Sequence, residues 1–388
     1  MTHDAKRVLV SGASFAGLST AYWLSKLGYD VTIVETASGL RTGGTAVNIE
    51  GQTIGIARRM GILEPIRANR LNLERWDYKN ADDVTEGSLM QRRDGAAPPD
   101  DELEVERDTL LRLLHDLVKN DVHFVFNDSV TALRETADAI IATFRDGSER
   151  SFALVFGCDG SHSNVRKLWF GSEARYVHFL EQYFSITIVD KSLIERNTAQ
   201  MFNVPGKGVM LNAYKDKTDI IFCFVSEKEI PYDYRDEAQQ RRIITEQFAG
   251  MGWRTAELLE EVRASKSFYF DKLCQVRMPS WTKGRVALVG DAAYCASPAA
   301  GKGGSLAIDG AAALADALAK HPGDFSRAFK EYDESFRPFI EQVQADAVRF
   351  GLEGLCPRTE EAIWKRNALA LIPFEREARA SNEPATVG

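Results

Sequence analysis

The architecture of this chain follows from one segment near its N-terminus, Val8-Leu9-Val10-Ser11-Gly12-Ala13-Ser14-Phe15-Ala16-Gly17. The apolar start predicts a short buried strand, and the turn leads into an apolar helix that we expect to end at Gly28. A second strand, Val31-Thr32-Ile33-Val34, follows and closes with Glu35. Strand, helix and strand in this order predict the first crossover of a parallel sheet, and therefore an α/β fold.

The glycine-containing turn of this segment has the form of a phosphate site. Glycine lets the backbone approach a pyrophosphate, and the helix dipole behind the turn favours its negative charge. Serine stands at the middle glycine of the G-x-G-x-x-G pattern, where its Cβ narrows the space for a phosphate. A tight turn without a ligand is the alternative, but the strand, the helix and the later acid together favour a nucleotide. The predicted contacts are Gly12, Ser14, Phe15, Ala16, Gly17 and Glu35.

The acid narrows the choice of nucleotide. Glu35 stands roughly 20 residues after the turn, where this pattern carries the group that binds a ribose. An acid there favours a free 2′-hydroxyl, as in FAD or NAD, over the 2′-phosphate of NADP. Neither Gly157–Ser163 nor Gly301–Gly304 forms a second such turn, which argues against a reductase with a separate nicotinamide domain.

The composition excludes several classes of partner. The net charge of −8 repels phosphate backbones and anionic lipid, so we expect neither nucleic acid nor a membrane to bind. No apolar segment precedes the first strand, and no apolar run is long enough to span a bilayer. The five cysteines lack the spacing of a metal or disulfide site, so we expect no metal and a reducing, cytoplasmic location. We also expect a monomer.

A second informative segment runs from Gly284 to Gly304. It reads as a buried strand that delivers a carboxylate to the sheet edge where ligands bind, followed by a turn rich in proline and glycine and by a helix start. A carboxylate there can accept hydrogen bonds from polyol hydroxyls, and glycine backbone can lie against a flat ring. The predicted ligand contacts are Asp291, Gly301, Gly303 and Gly304, and the family resemblance given below adds Pro298.

This segment resembles a motif of the FAD-binding aromatic hydroxylases, the para-hydroxybenzoate hydroxylase group. In that family the aspartate of the motif binds the ribityl chain of the flavin, and the proline and glycines face the isoalloxazine ring. The segment Gly157–Arg166 is similar to the family's D-G motif, which serves FAD and the nicotinamide, and this adds Asp159 and Gly160. The resemblance also implies that Arg107 reaches the ribityl and phosphate region; without the resemblance, Arg107 reads as an ordinary surface arginine.

Within that family the chain resembles the tetracycline destructases in four segments: Gly43–Gly51, Phe268–Asp271, Ser280–Arg285 and Gly290–Pro298. That group has a C-terminal helix that bridges two domains, and we expect Glu360–Ala380 to supply it, with a kink at Pro373. Other positions depart from the family, because Tyr294, Lys302 and Ser305 stand where many relatives have histidine, glutamine and asparagine.

For two basic side chains the sequence allows two alternative roles each. Lys302 either stabilises an anionic reduced flavin or points to solvent. Arg41, in the glycine-rich segment Gly39–Gly44, either contacts the flavin or the nicotinamide, or is exposed.

We therefore expect a Rossmann-like FAD-binding domain with an inserted antiparallel-sheet substrate domain and a C-terminal helix. The FAD-binding domain takes residues 1–72, 101–175 and 276–350, substrate-domain strands and a loop take 73–100, the substrate-binding domain takes 176–275, and the bridging helix takes 351–388. Aromatic and β-branched runs at Phe184–Val189 and Ile220–Val225 predict the antiparallel sheet. Phe222 and Phe224 are the predicted apolar wall over the ring, with core packing as the alternative.

The resemblance implies an FAD-dependent monooxygenase with NAD(P)H as transient reductant. Such an enzyme inserts one oxygen atom of O2, through a flavin hydroperoxide, into a small aromatic or polycyclic molecule. A tetracycline-type antibiotic, another aromatic polyketide or a phenol are the expected substrates. An FAD-containing protein that sequesters an aromatic drug or metabolite without turnover is the alternative. A halogenase is disfavoured, because the sequence has no W-x-W-x-I-P segment.

Overall fold

The computed structural model describes residues 6–90 and 102–369. The strands are β1 (Arg7–Ser11), β2 (Asp30–Glu35), β3 (Val47–Glu50), β4 (Arg75–Lys79), β5 (Thr85–Met90), β6 (Glu102–Val105), β7 (His123–Phe126), β8 (Val130–Glu135), β9 (Ile140–Phe144), β10 (Glu149–Phe152), β11 (Leu154–Gly157), β12 (Val177–Val189), β13 (Thr198–Val204), β14 (Lys207–Tyr214), β15 (Lys217–Val225), β16 (Ser267–Val276), β17 (Thr282–Lys283) and β18 (Val286–Leu288).

The α-helices are α1 (Phe15–Lys26), α2 (Gln52–Met60), α3 (Leu63–Ala68), α4 (Arg107–Val118), α5 (Asn164–Phe170), α6 (Glu237–Phe248), α7 (Thr255–Ala264), α8 (Asp291–Tyr294), α9 (Gly303–Lys320), α10 (Phe325–Asp346), α11 (Leu352–Leu355) and α12 (Glu360–Leu369). Short 3-10 turns lie at Glu173–Arg175 and Pro298–Ala300, and a π-helical turn lies at Ala347–Gly351.

A six-stranded sheet in the order β17-β18-β11-β1-β2-β7 forms the first layer of the fold. Its strands β18, β11, β1, β2 and β7 are parallel, which confirms the predicted β-α-β crossover, and β17 pairs antiparallel with β18 at the edge. The apolar runs Val8–Val10 and Leu154–Phe156 are buried, as expected of parallel strands covered on both faces. Because the carboxyl ends of parallel strands meet at one edge, the segments after β1, β2, β11 and β18 come together there.

A seven-stranded sheet in the order β16-β12-β15-β14-β13-β4-β5 forms the second layer. The predicted runs Phe184–Val189 and Ile220–Val225 lie in β12 and β15, which pair antiparallel as expected. Strands β4 and β5 come from much earlier in the chain and join the sheet through a parallel β13–β4 pair. Helices α6 and α7 cover one face, where Phe248 and Leu258 pack with the sheet in a separate hydrophobic core.

The end of the described chain is attached to the seven-stranded sheet. Helix α12 packs on β5 and β13, and the guanidinium of Arg366 lies 4.6 Å from the ring centre of Tyr78. A helix is present over Glu360–Leu369. The rest of the predicted C-terminal helix, and the loop expected at Gly95–Asp101, lie outside the described residues. Among residues 6–90 and 102–369, no helix combines the length and apolar character that a membrane crossing requires.

Candidate active site

Glycine is required at two positions of the turn between β1 and α1. Gly12 has a φ of +104°, and a Cβ there would lie 2.6 Å from the carbonyl oxygen of Cys158 in the segment after β11. A Cβ on Gly17 would lie 1.8 Å from the carbonyl oxygen of Gly12. The turn is therefore packed tightly against β11 and the start of α1, which is the geometry that brings backbone N–H groups close to a phosphate.

Ser14 has a structural task within the same turn. Its hydroxyl donates to the carbonyl oxygen of Cys158 at 2.8 Å and accepts from the N–H of Gly17 at 3.2 Å. Ser14 is thus the N-cap of α1, and its side chain satisfies a donor that would otherwise lack a partner. The hydroxyl is turned into the protein, so serine at the middle position of the pattern is compatible with a ligand at the turn.

Glu35 at the end of β2 is held beside this turn. Its carboxylate accepts from the N–H groups of Ala13 and Ala37, both at 2.9 Å, and from the hydroxyl of Thr36 at 3.0 Å. The exposed side chain of Arg41 lies nearby, with its Nε 3.8 Å from the carboxylate. The predicted ribose acid and the phosphate turn are therefore fixed to each other by a direct hydrogen bond.

The first residue of α4, Arg107, pins a glycine-rich loop over the start of α1. Its guanidinium donates to the carbonyl oxygens of Arg41 at 3.0 Å and Gly43 at 2.9 Å, and its centre lies 5.3 Å from the ring centre of Phe15. Burial lowers the pKa of this guanidinium. Asp108, which the sequence analysis did not single out, accepts from the N–H of Gly43 at 2.8 Å. Arg107 is thus a partly buried structural cation at the sheet edge.

Asp159, in the segment after β11, caps helix α5. Its carboxylate accepts from the N–H groups of Asn164 at 2.8 Å and Val165 at 3.0 Å, and from the hydroxyl of Ser163 at 2.5 Å. Burial raises the pKa of Asp159, and these hydrogen bonds oppose that effect. Beside it, Gly160 has a φ of +83° and nothing within 4 Å of a Cβ position, so backbone there borders open space.

Arg166 joins this segment to the one after β18. Its fully buried guanidinium donates to the carbonyl oxygens of Ala292 at 2.8 Å and Ser161 at 2.5 Å. It therefore links α5 to α8, where Asp291 is the first residue. Sequence reasoning listed Arg166 only as the end of a motif, although an arginine shortly after an Asp-Gly pair was the available signal.

Asp291 begins α8 at this edge and is open to solvent there, in a region that we call the cleft. The preceding Gly290 has a φ of +69°, and a Cβ there would lie 2.8 Å from the Cβ of Ala16. Asp291 itself is exposed, and yet the surrounding protein raises its pKa by burial. A carboxylate that is both accessible and closely surrounded borders a concave space, and this is the situation of a ligand-binding group.

The turn from Ser297 to Gly301 forms the next wall of the cleft. Ser297 is buried and has a φ of +82°, a strained conformation for a residue other than glycine. Pro298 and Gly301 are exposed, and α9 then begins at Gly303 without a side-chain cap on its first N–H groups. The positive end of an 18-residue helix therefore opens onto this surface and favours a partly negative ligand atom.

The departures from the family pattern have local explanations. Lys302 forms an ion pair with Glu50 of β3, so its charge is compensated within the protein. Ser305 donates to the carbonyl oxygen of Asn48 at 2.7 Å, which ties α9 to the same strand. Tyr294 is buried in the core, with its ring centre 4.6 Å from that of Trp281. Tyr294 is thus a packing residue of the core.

The structure corrects the assignment of Phe222 and Phe224 as a wall over the ring. They are 0% and 1% exposed, and their ring centres lie 4.7 and 6.2 Å from that of Phe248 in α6. Both side chains therefore belong to the helix-covered face of the seven-stranded sheet. Since side chains alternate along a strand, the opposite face carries Ile221 and its cross-strand neighbours.

That opposite face carries an apolar row that crosses six strands. In register, its members are Tyr269, Ile186, Ile221, Met210, Met201 and Tyr78. Tyr269 is 48% exposed, although burial among protein atoms raises its pKa well above the ordinary value. The charge of Asp291 adds to this shift, and Tyr269 in turn acts on the pKa of Arg107. Tyr269 is therefore close to Asp291 and Arg107, with half of its surface open to solvent.

A separate cavity of about 520 Å³ lies between the end of β16 and α10. Its lining includes Val276, Trp281, Arg337 and Gln344, and it contains none of the predicted cofactor contacts among the described residues. We therefore place the candidate site at the open sheet edge.

The residues at this edge fit FAD. A tight glycine turn follows β1, the predicted ribose acid ends β2, an accessible carboxylate follows β18, and an uncapped helix N-terminus follows the turn after it. These elements match, in order, a pyrophosphate, an adenosine ribose, a polyol chain and the electron-rich edge of a flavin ring. Gly12 and Gly17 allow the turn to pack closely, and the backbone at Gly160 and Gly303 borders open space, as a bound ligand requires.

Comparisons with known proteins agree with this fit. A family model described as FAD binding domain matches residues 5–347. A flavin-dependent monooxygenase of Legionella longbeachae is 33% identical over 344 residues, which cover 87% of each chain. The crystal structure of tetracycline destructase Tet(51) is similar with a TM-score of 0.83 and 33% identity, covering 94% of this chain and 95% of that one.

A more distant structure shares the fold. HpxO of Klebsiella pneumoniae, complexed with FAD and uric acid, has a TM-score of 0.74 at 20% identity, covering 94% of this chain and 92% of that one. The family match covers most of the chain, and the relatives above 30% identity cover it almost completely. The chain therefore belongs to the FAD-binding-domain family of flavin-dependent monooxygenases, and its fold is that of the tetracycline destructases.

Proposed function

We propose that this protein is an NAD(P)H-using monooxygenase that inserts one oxygen atom of O2 into a polycyclic or phenolic substrate. The observation that carries the proposal is the position of Asp291, accessible and yet surrounded by protein, between the glycine turn and the uncapped start of α9. FAD, when bound, supplies the redox chemistry and the activation of O2. The chain itself supplies binding, orientation and exclusion of water.

The predicted contacts divide the work of holding FAD. We assign the pyrophosphate to the backbone of Gly12–Gly17 and the adenosine ribose to Glu35, which already lies beside that turn. Asp291 binds the ribityl chain. Pro298, Gly301, Gly303 and Gly304 face the ring, and the first N–H groups of α9 stabilise negative charge on it. Arg107 positions the glycine-rich loop that borders the site, and Asp159 positions the start of α5. Gly160 borders the site beside Asp159.

The apolar row supports the assignment of substrate class. The part of the apolar row that is not fully buried, at Tyr269, Ile186 and Met210, suits a polycyclic or aromatic molecule. Such a surface also excludes water that would divert activated oxygen to peroxide. Tetracycline destructases Tet(51) and Tet(55) share 33% and 32% identity and the fold. We therefore propose tetracycline-type antibiotics as the first substrates to test. We also propose that residues 73–100 and 176–275 together form the substrate-binding domain.

The test is a reconstitution with FAD followed by reduction and turnover. The FAD-loaded protein is mixed anaerobically with NADH or NADPH, and flavin bleaching is followed by absorbance. It is then incubated aerobically with a panel of tetracyclines and phenols, and products are measured by mass spectrometry. We expect bleaching by at least one nicotinamide and a product that has gained one oxygen atom.

Two variants distinguish a specific loss of FAD binding from a general loss of the folded structure. Asp291→Ala is expected to weaken FAD binding by about tenfold or more, because it removes a charged acceptor from the site. Asp316→Ala, an exposed aspartate of α9 paired with Arg59, is the matched control and should bind FAD normally. Consumption of NAD(P)H that yields only hydrogen peroxide with every panel compound would overturn the monooxygenase proposal.

A further inference from the structure

A chain of hydrogen bonds leads from the cleft to the outer surface of the protein. The hydroxyl of Tyr269 donates to Oδ2 of Asp271 at 3.0 Å. The Nε2 of His162 lies 3.2 Å from the same oxygen, and its Nδ1 lies 3.0 Å from a carboxylate oxygen of Glu173. Tyr269 and Asp271 lie on one face of β16, whereas His162 belongs to the segment between β11 and α5. The two sheets are therefore joined by groups that can each carry a proton.

The inner end of this chain is at the candidate site. Tyr269 begins the apolar row, is 48% exposed, and acts electrostatically with both Asp291 and Arg107. Its hydroxyl is thus the polar end of a half-exposed aromatic side chain near the residues that we assign to FAD. None of the proposed FAD contacts involves this hydroxyl.

The buried carboxylate of Asp271 lies between Tyr269 and His162, and its two oxygens have different partners. Its Oδ1 accepts from the hydroxyl of Tyr232 at 3.0 Å and from its neighbour's backbone N–H, that of Lys272, at 2.8 Å. These two donors hold the carboxylate in place. The Oδ2 atom is shared by Tyr269 and His162, so it is the atom through which a proton can pass between them.

The outer end is a histidine kept charged by two carboxylates. The hydrogen bonds with Asp271 and then Glu173 raise the pKa of His162 to about 9. Glu173 also faces Lys167 at 2.8 Å and Arg166 at 3.8 Å. The side chain of His162 is 42% exposed, and the ring of Tyr234 stacks on it with centres 6.1 Å apart. A charged imidazole with direct access to solvent can donate a proton at neutral pH and then take up another from water.

We infer that Tyr269, Asp271 and His162 form a proton relay between the cleft and the solvent. In the inward direction, the Nε2–H bond of His162 breaks as an O–H bond forms on Oδ2 of Asp271. That proton then forms a new O–H bond on Tyr269, while the original phenolic proton passes to an acceptor in the cleft. For this transfer the tyrosine hydroxyl first turns from Oδ2 towards the cleft, and afterwards the new O–H bond again points at Oδ2. Solvent then reprotonates His162, so the net change is one proton moved inward.

The relay rests on the proposed function, because it needs a proton-consuming reaction in the cleft. Reoxidation of fully reduced FAD by O2 is such a reaction: FADH⁻, O2 and one proton give FAD and H2O2. It requires neither an organic substrate nor a nicotinamide. A test based on it therefore remains decisive even if no panel compound is oxygenated.

The experiment compares isosteric variants in stopped flow. FAD-loaded protein is reduced with dithionite, mixed with oxygenated buffer from pH 6 to pH 10, and followed by the return of flavin absorbance. We expect Tyr269→Phe, Asp271→Asn and His162→Gln to slow reoxidation at pH 8 by about tenfold or more, within the range of general acid catalysis. Tyr232→Phe is the comparison variant, since it removes a hydroxyl from the other oxygen of the same carboxylate, and we expect it to slow reoxidation much less than Tyr269→Phe does.

A second readout does not depend on turnover. With labelled histidine, the imidazole signal that disappears in His162→Gln is titrated by NMR in the FAD-loaded protein. We expect its midpoint near 9 in the wild type, a clear fall in Asp271→Asn, and a smaller change in Tyr232→Phe. Wild-type reoxidation should likewise stay level up to this pH and decline above it.

Three results would overturn the relay. The first is a wild-type rate and pH profile in Tyr269→Phe. The second is an equal loss in Tyr232→Phe, which would mean that the hydroxyls only hold Asp271 in place. The third is loss of FAD from Tyr269→Phe, which would make that hydroxyl a cofactor contact instead of a proton carrier.

Discussion

Replacing Ser14 with alanine separates a structural role of its hydroxyl from a ligand-binding role. In the structure this hydroxyl caps α1 through the N–H of Gly17 and donates to the carbonyl oxygen of Cys158. Loss of an N-cap costs about 1 kcal/mol, and loss of a further hydrogen bond in a partly buried site costs about 1 kcal/mol more. We therefore expect Ser14→Ala to lower the free energy of unfolding of the FAD-free protein by about 2 kcal/mol.

The glycine variant sharpens the comparison. Ser14→Gly restores the full G-x-G-x-x-G pattern, and glycine is itself a tolerated N-cap, so the expected loss is about 1 kcal/mol. In both variants the FAD dissociation constant should stay within a few-fold of the wild type, since the hydroxyl is turned into the protein. Urea unfolding followed by tryptophan fluorescence gives the stabilities, and titration of flavin fluorescence gives the affinities.

A remote cap provides the control for these measurements. Asp324 caps α10 by accepting from the N–H of Arg327 at 3.0 Å, and it is not a predicted site residue. Asp324→Ala should lose about 1 kcal/mol without any change in FAD affinity. If Ser14→Ala kept the wild-type unfolding curve but bound FAD at least tenfold more weakly, Ser14 would be a cofactor contact, and the capping account would be refuted.

Three further predictions use other parts of the structure. Gly12→Ala should lower stability by more than about 2 kcal/mol, because its Cβ meets the Cys158 carbonyl at a positive φ; Gly160→Ala, at a positive φ in open space, should lose only about 1 kcal/mol in the same urea assay. The pKa of His162 is raised from 6.5 to about 9, so its contribution to stability is complete below pH 6.5 and is lost as the pH rises through 9; unfolding midpoints should show this decline in the wild type and lack it in His162→Gln. Phe222→Leu should destabilise the protein by roughly 1–2 kcal/mol and leave the range of oxidised substrates unchanged, whereas a changed product spectrum would place Phe222 at the cleft after all.

Much of the sheet edge was predictable because its signals are local. The crossover β1–α1–β2 is encoded by an apolar strand, a glycine turn and a periodic helix within one short segment, and its ends follow from ordinary capping rules. The antiparallel strands β12 and β15 were visible for the same reason, through alternating aromatic and β-branched residues. The family resemblance then joined these segments into one expected site.

The features that the sequence did not predict are contacts between segments that lie far apart in the chain. Alternation in β15 predicts that Phe222 and Ile221 lie on opposite faces, but the face that α6 and α7 cover depends on packing that no local pattern encodes. The direction of the Ser14 hydroxyl depends on a carbonyl supplied by Cys158, far along the chain. The link between His162 and Asp271 has the same origin, because it joins two segments more than 100 residues apart.

The order of the strands has a consequence for synthesis of the protein. The parallel sheet places β1 beside β11 and β11 beside β18, and the second sheet draws β4 and β5 from an early part of the chain. A nascent polypeptide that has left the ribosome only as far as β16 holds every strand of the second layer, but it lacks β17 and β18 of the first. The edge of β11 therefore stays exposed until Val286–Leu288 emerge. Truncations before that point should aggregate instead of yielding an isolated domain.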